Sequence, residues 1–131
     1  MTGLDTSVVL RLVMGDPPDL AAAAQAFFDE AFAPGGTPHL LSDVVVAESY
    51  HSMRHHYAVP HDVAIAALGA LVNDRVRVRA LGVAAEALAG ATAPKPGVVD
   101  RLLHAEYTAA GAETATFDKA LARLPGTRLV R

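Results

Sequence analysis

Val98-Val99-Asp100-Arg101-Leu102-Leu103-His104-Ala105-Glu106-Tyr107-Thr108-Ala109-Ala110-Gly111-Ala112-Glu113-Thr114-Ala115-Thr116-Phe117-Asp118 is one structural unit written out along the chain. Val98 to Ala110 predicts a helix, closed by Gly111, a residue at ease in the left-handed C-terminal position. Glu113 to Phe117 then predicts a strand, with Asp118 just past its end. Downstream, Lys119 to Leu124 reads as a short helix, Pro125-Gly126 as a turn and Thr127 to Val130 as a last strand.

The same alternation runs upstream. Leu4, Val8, Val9, Leu10, Leu12 and Val13 predict a very short strand ending near Asp5, then a short helix. Asp16-Pro17-Pro18-Asp19 predicts a helix start with Asp16 as cap, and the helix runs from Leu20 to Ala33 before Pro34-Gly35-Gly36 breaks it. His39-Leu40-Leu41 predicts a strand, and Ser42 or Asp43 caps a helix over Val44 to Tyr57. Pro60 and Asp62 open another, with Val63, Ala66, Ala67, Ala70 and Leu71 at helical spacing. Arg75-Val76-Arg77-Val78-Arg79 alternates as an edge strand with a solvated arginine face. Val83 to Ala91 predicts a short helix, and Pro94-Lys95-Pro96-Gly97 a loop. Short strands alternating with helices imply an α/β fold with a mostly parallel sheet.

The chain has 131 residues and no cysteine, which suits one domain over 1–131 and excludes disulfide scaffolds, Cys-ligated metals and thiol catalysis. Met1-Thr2-Gly3-Leu4-Asp5 has no basic segment, so no signal peptide is expected. Glu86 interrupts the most apolar stretch, so neither is a membrane span, and a cytoplasmic protein is expected. Eleven Lys and Arg against fourteen Asp and Glu give a net charge of −3, which argues against holding nucleic acid by bulk charge.

The placement of the acids changes that balance. In an open parallel sheet, sites form beyond the carboxyl ends of the strands. Asp5 and Asp118 each follow a strand, Asp100 opens the helix leading to the Asp118 strand, and Glu48 lies in the Val44–Tyr57 helix. These four carboxylates are expected to meet at one end of the sheet. Clustered carboxylates resist joint ionisation unless a cation intervenes, and a hard ion such as Mg²⁺ or Mn²⁺ suits all-oxygen ligands. That is the chemistry of metal-dependent phosphodiester hydrolysis. Setting the four aside leaves eleven cations against ten anions. Other phosphate-handling patterns fail. Asp5-Thr6-Ser7 lacks the second acid of an Asp-x-Asp phosphatase, no acid pair precedes Asp5 as a receiver domain needs, and no Gly-rich nucleotide loop occurs.

Gly3-Leu4-Asp5-Thr6-Ser7, Ser42-Asp43-Val44-Val45-Val46-Ala47-Glu48, the Asp100-led helix and Thr116-Phe117-Asp118-Lys119, in that order, resemble the motifs of PIN domains. The likeness spans nearly the whole chain, and the short form looks most like the VapC-type toxins of bacterial toxin–antitoxin pairs. It implies a PIN-like three-layer fold with a central sheet of about five strands flanked by helices. It also implies a Mg²⁺- or Mn²⁺-dependent endoribonuclease, a homodimer, and a small antitoxin protein that blocks the site. Carried over by position, Asp5 and Asp118 would be direct metal ligands, Glu48 and Asp100 would ligate directly or through water, and Thr6 and Thr116 would orient these carboxylates. In-line attack of water would leave 5′-phosphate and 3′-hydroxyl ends. A PIN-type nuclease of RNA processing or decay, and a catalytically silent PIN-like binding module, remain as alternatives.

His104 stands where many relatives have a small residue, one turn beyond Asp100, and either faces the site or packs. Arg11 either holds a phosphate or an acidic partner, or forms a surface salt bridge. Glu48 with His51, and His51 with His55, have metal-ligand spacings, but neither a second Glu-x-x-His nor a His-Glu-x-x-His occurs. The bland reading of His51, His55 and His56 is an exposed helix end; the sharper one has Arg54, His55 or His56 touching RNA. Phe27, Phe28 and Phe32 form an apolar face, either core or a groove for a partner helix. Tyr50 and Tyr57 are candidates for a dimer seam.

Overall fold

Every strand is only three residues long in the computed structural model, which describes residues 1–131, so helices carry most of the packing. The six helices are α1 (Thr6–Met14), α2 (Pro18–Asp29), α3 (Asp43–His55), α4 (His61–Val72), α5 (Ala84–Ala89) and α6 (Val98–Ala109). The strands are β1 (His39–Leu41), β2 (Val78–Ala80), β3 (Thr114–Thr116) and β4 (Thr127–Leu129). Single 3-10 turns cover Glu30–Phe32 and Leu121–Arg123. The α/β alternation and six of the expected helices are present, with ends moved by a few residues; the expected short helix over Lys119 to Leu124 is only the 3-10 turn Leu121–Arg123, and the expected first strand is only a bridge at Gly3. No helix is long and apolar enough to cross a membrane.

β1 pairs in parallel with β2, His39 opposite Val78 and Leu41 opposite Ala80. On its other side Gly3 forms a single parallel bridge to Leu40: the Leu40 amide donates to Thr2 O at 2.8 Å and the Leu4 amide to Leu40 O at 2.9 Å. β3 pairs in parallel with β4 alone, Thr114 opposite Thr127. The expected five-strand central sheet is therefore corrected to two separate two-stranded sheets. The second sheet is seated on α6 instead of the Gly3 edge. His104 on α6 donates through Nε2 to Pro125 O, 2.6 Å away, in the turn joining β3 to β4.

The main core explains why the helices dominate. Its 17 buried residues all lie between Leu4 and Leu102, so β3 and β4 contribute none. α3 shows the logic: Val46, Ser49 and Met53 form a buried stripe, while Val44, Glu48, His51 and His55 face solvent. α1 packs on α2 and α3, α3 on α4 and α6, and α5 on α4 and α6. Phe28 enters this core and Phe27 packs against it, whereas Phe32 is exposed. Tyr50 donates its hydroxyl to His61 Nδ1 at 2.6 Å, and His61 Nε2 donates to Ala91 O at 2.8 Å. Tyr50 thus makes an intramolecular contact and is half-buried, while Tyr57 is exposed.

One helix start differs from expectation, and a second decides between two expected caps. Asp16 does not cap α2; Pro17 holds the cap position and Pro18 begins the helix. At α3, Ser42 is the cap, its Oγ accepting from the Val44 amide at 3.2 Å. Asp43 acts across the fold, accepting the Val83 amide (3.0 Å) and the Ala84 amide (3.2 Å) at the start of α5. A methyl at Gly82 would overlap the Asp43 carboxylate, so this approach requires glycine. Arg101 is buried without a carboxylate partner and donates to Pro96 O (2.9 Å), Gly90 O (2.8 Å) and Ala93 O (3.3 Å), gathering the loop after α5.

The alternating arginine strand is also corrected. Only Val78–Ala80 is extended; the residues before it form a turn because Asp74 accepts the Arg77 amide at 3.0 Å and its Nε at 2.7 Å. Arg77 is not a solvated edge residue. It also meets Asp29 at 2.7 Å and lies over the rings of Phe28 and Phe32, 4.5 and 4.8 Å from their centroids. Partial burial pushes the Asp74 carboxyl up, but the Arg77 amide and guanidinium outweigh it and hold it below the ordinary aspartate value.

Two outcomes test these contacts. Gly82→Ala should destabilise by about 1–3 kcal/mol through overlap with Asp43, and Asp43→Ala by about 1–3 kcal/mol through two unpaired amides. Because they break one contact, the double variant should lose less than the sum in urea unfolding. A lowered folded-state pKa gives stability that is present above the ordinary aspartate range and lost as pH falls through the folded value. Asp74→Asn should therefore flatten the acid limb of a melting-temperature profile against pH.

Candidate carboxylate site

Asp5 stands where the first extended segment turns into α1. Its backbone is extended (φ −86°, ψ 161°), and its carbonyl already accepts the Val8 and Val9 amides, each at 3.1 Å. Its side chain is exposed and accepts the Ser7 hydroxyl at 3.0 Å. The Ser7 hydroxyl, followed by the Thr6 and Ser7 amides at the open helix start, holds the Asp5 carboxyl below its ordinary value. Asp5 is thus a fixed, ionised, solvent-open carboxylate.

Asp118 follows β3 and is fixed differently. Its amide donates to Thr116 Oγ1 at 2.9 Å, and its Oδ1 accepts the Ala120 amide at 2.7 Å and the Leu121 amide at 3.0 Å. Oδ2 takes no bond within the chain, and the residue is exposed. Asp100 is half-buried in the first turn of α6, where its charge complements the helix start. Glu48 is exposed on the outer face of α3 and makes no side-chain hydrogen bond or ion pair.

The structure does not gather these four acids as expected. No group of three or more histidine or acidic side chains stands close enough to hold one metal ion. One reason is visible: Asp118 belongs to the second sheet, which is not joined to the Gly3 edge; Asp43, the acid at the end of β1, is committed to α5 and does not take its place. The donor chemistry still fits a hard cation. Mg²⁺ is usually held by one or two carboxylates and keeps several waters, and Asp5 and Asp118 each present a free oxygen.

The surrounding expectations divide. Thr6 does not orient a carboxylate: its Oγ1 is buried and without a partner. Ser7, absent from the sequence-derived set, holds Asp5 instead; an Asp-Thr-Ser helix start was the available signal. Thr116 holds the Asp118 backbone, not its carboxylate. His104 packs, through its bond to Pro125. Arg11 forms no salt bridge and lines an apolar groove of about 350 Å³ between α1 and α2, with Ser7, Leu20, Ala24 and Phe27. His51 and His55 are exposed, their ring centroids 4.4 Å apart, as a helix end would leave them.

Comparison with protein-family models, curated proteins and solved structures gave no match. Ser7→Ala should raise the Asp5 carboxyl toward its ordinary value, as followed by carbon-detected NMR titration. An unmoved Asp5 would mean that the helix amides alone hold the charge.

Proposed function

We propose that the chain is a Mg²⁺- or Mn²⁺-dependent ribonuclease of PIN type, acting as the cytoplasmic toxin of a toxin–antitoxin pair. The observation that carries this reading is the state of Asp5 and Asp118. Each lies just beyond an extended segment, is pinned by local bonds and keeps an oxygen open to solvent. The ordered likeness to PIN motifs supports it, with Glu48 exposed and Asp100 half-exposed on separate helices. The hydroxyl–imidazole contact of Tyr50 with His61 is committed to the Ala91 carbonyl within the fold.

A hard divalent ion held by Asp5 and Asp118 would polarise a phosphate and activate water, with Glu48 and Asp100, which the structure does not gather with them, reached only through water. The chain's own contribution is positional. The Ser7 hydroxyl fixes the Asp5 carboxylate, and the Ala120 and Leu121 amides fix one oxygen of Asp118 and leave the other outward. Arg11 supplies an uncommitted cation beside Ser7 in the α1–α2 groove. A small antitoxin lying there would sit next to Asp5, and the same apolar groove suits a helix with an acidic residue for Arg11. A homodimer belongs to this reading.

A second reading is a PIN-like binding module without activity, favoured by the lack of three acids around one point. Incubation of total RNA with Mg²⁺ or Mn²⁺ separates the two. Asp5→Asn and Asp118→Asn keep the hydrogen-bond acceptors used by Ser7, Ala120 and Leu121, so both should melt like the parent. Each should lose cleavage by at least about a hundredfold. Full activity in excess EDTA, or parent-like activity of both variants, would sink the ribonuclease reading. RNA bound but left intact would establish the second.

A further inference from the structure

We infer that Phe117 is a stacking platform for an unpaired base of single-stranded RNA, set beside the proposed carboxylate site. The chain has four phenylalanines. Phe28 is buried, Phe27 packs on the core and against His39, and Phe32 carries the Arg77 guanidinium on its ring. Phe117 alone has neither an aromatic nor a cationic partner and is 77% exposed, more than any other large apolar side chain in the chain. Exposure of one apolar residue is ordinary. Its setting is not.

The backbone that presents this ring is held on both sides. Before it, Thr116 O accepts the Val130 amide at 2.8 Å as β3 ends. After it, the Asp118 amide, carbonyl and carboxylate bind Thr116 Oγ1, the Ala122 amide, and the Ala120 and Leu121 amides. The ring therefore projects from a fixed loop and needs little further ordering of the backbone on binding. Lys119 follows directly, exposed and in no ion pair. Three consecutive residues thus offer an aromatic face, a carboxylate with one free oxygen and a free ammonium.

That set suits a nucleotide: a base for the ring, a phosphate for Lys119, and a scissile link near Asp118. Duplex RNA keeps its bases stacked on one another, so the ring selects unpaired strands. Base–aromatic stacking changes affinity about 5- to 150-fold per base on alanine substitution and tolerates any base. It also gives a net-acidic chain a handle on RNA that does not rely on bulk charge. The inference rests on the ribonuclease reading, but its binding test does not need cleavage.

The chain has no tryptophan, so Phe117→Trp places a single tryptophan, excited selectively over the three tyrosines, at the loop. In EDTA, where cleavage is stopped, a short randomised single-stranded RNA should quench that emission, and a duplex of the same length should not. Phe117→Ala should weaken binding of labelled single-stranded RNA by about tenfold or more, with Phe117→Tyr restoring it. In cleavage assays Phe117→Ala should raise KM more than it lowers kcat. Equal affinity of Phe117→Ala and parent would overturn the inference. So would sedimentation showing that Phe117→Ala separates a dimer into monomers while its RNA affinity is unchanged, which would give the ring to a contact between copies. Cleavage intact with Phe117→Ala silent leaves the ribonuclease and removes the platform. Binding that depends on Phe117 in a protein that never cleaves keeps the platform and removes the ribonuclease.

Discussion

The carboxylate of Asp43 closing over the backbone at Gly82 is the contact on which the larger half of the molecule depends. Strands of three residues make ladders of very few hydrogen bonds, too few to fix the ends of β1 and β2 against each other. Asp43 supplies what the ladder lacks. It begins α3 at the end of β1 and takes the first free amides of α5 just after β2. One side chain therefore sets two helices and two strand ends in a single register, at a place where the second residue must be glycine.

The same device recurs where other elements meet. His39 donates to Phe28 O at the end of α2, His61 to Ala91 O after α5, and Arg101 to three carbonyls of the following loop. Backbone carbonyls at helix ends and in the loops between elements have no ladder partner, and apolar side chains offer them no donor. Polar side chains at the joints meet that need, so His39, His61, His104 and Arg101 are structural although their residue types suggest chemistry. The histidines left without such partners, His51, His55 and His56, are exposed on α3 and at its end.

What was legible in the sequence follows from the range of the interaction behind it. Helix positions rest on local periodicity and stop signals, and Gly111 does adopt the left-handed conformation (φ +78°) that its place after α6 implied. Parallel strands rest on partners far away in sequence, and nothing local in Thr114-Ala115-Thr116 says whether it pairs with Gly3 or with Thr127 alone. Arg75 to Arg79 misled for a related reason. Its alternation is genuine, but Asp74 lies three residues before Arg77 and Asp29 lies across the fold, and these two acids decide where that arginine goes. In the carboxylate set, the placing of Asp5 and Asp118 beyond extended segments was legible because it is local. The distance between them was not, because it depends on how two sheets are mounted.

That mounting bears on the chemistry the chain can support. β3 and β4 add nothing to the main core, so Asp118 takes its position from α6, through the contact of α6 with β3 and the His104–Pro125 bond. Asp5 takes its position from α1 and its bridge to β1. The two carboxylates thus belong to units whose connection runs through packed helices, and α6 carries Asp100 as well as the support for Asp118. A site assembled across such a joint is sensitive to whatever lies between its halves. RNA stacked on Phe117 and charge-paired at Lys119 would press on the Asp118 unit, while a partner segment in the α1–α2 groove would act on Asp5 through Ser7. On the proposed reading, the geometry between Asp5 and Asp118 is set through the packing of α1 on α3 and of α3 on α6, so a ligand seated on either unit would bear on the separation of the two carboxylates.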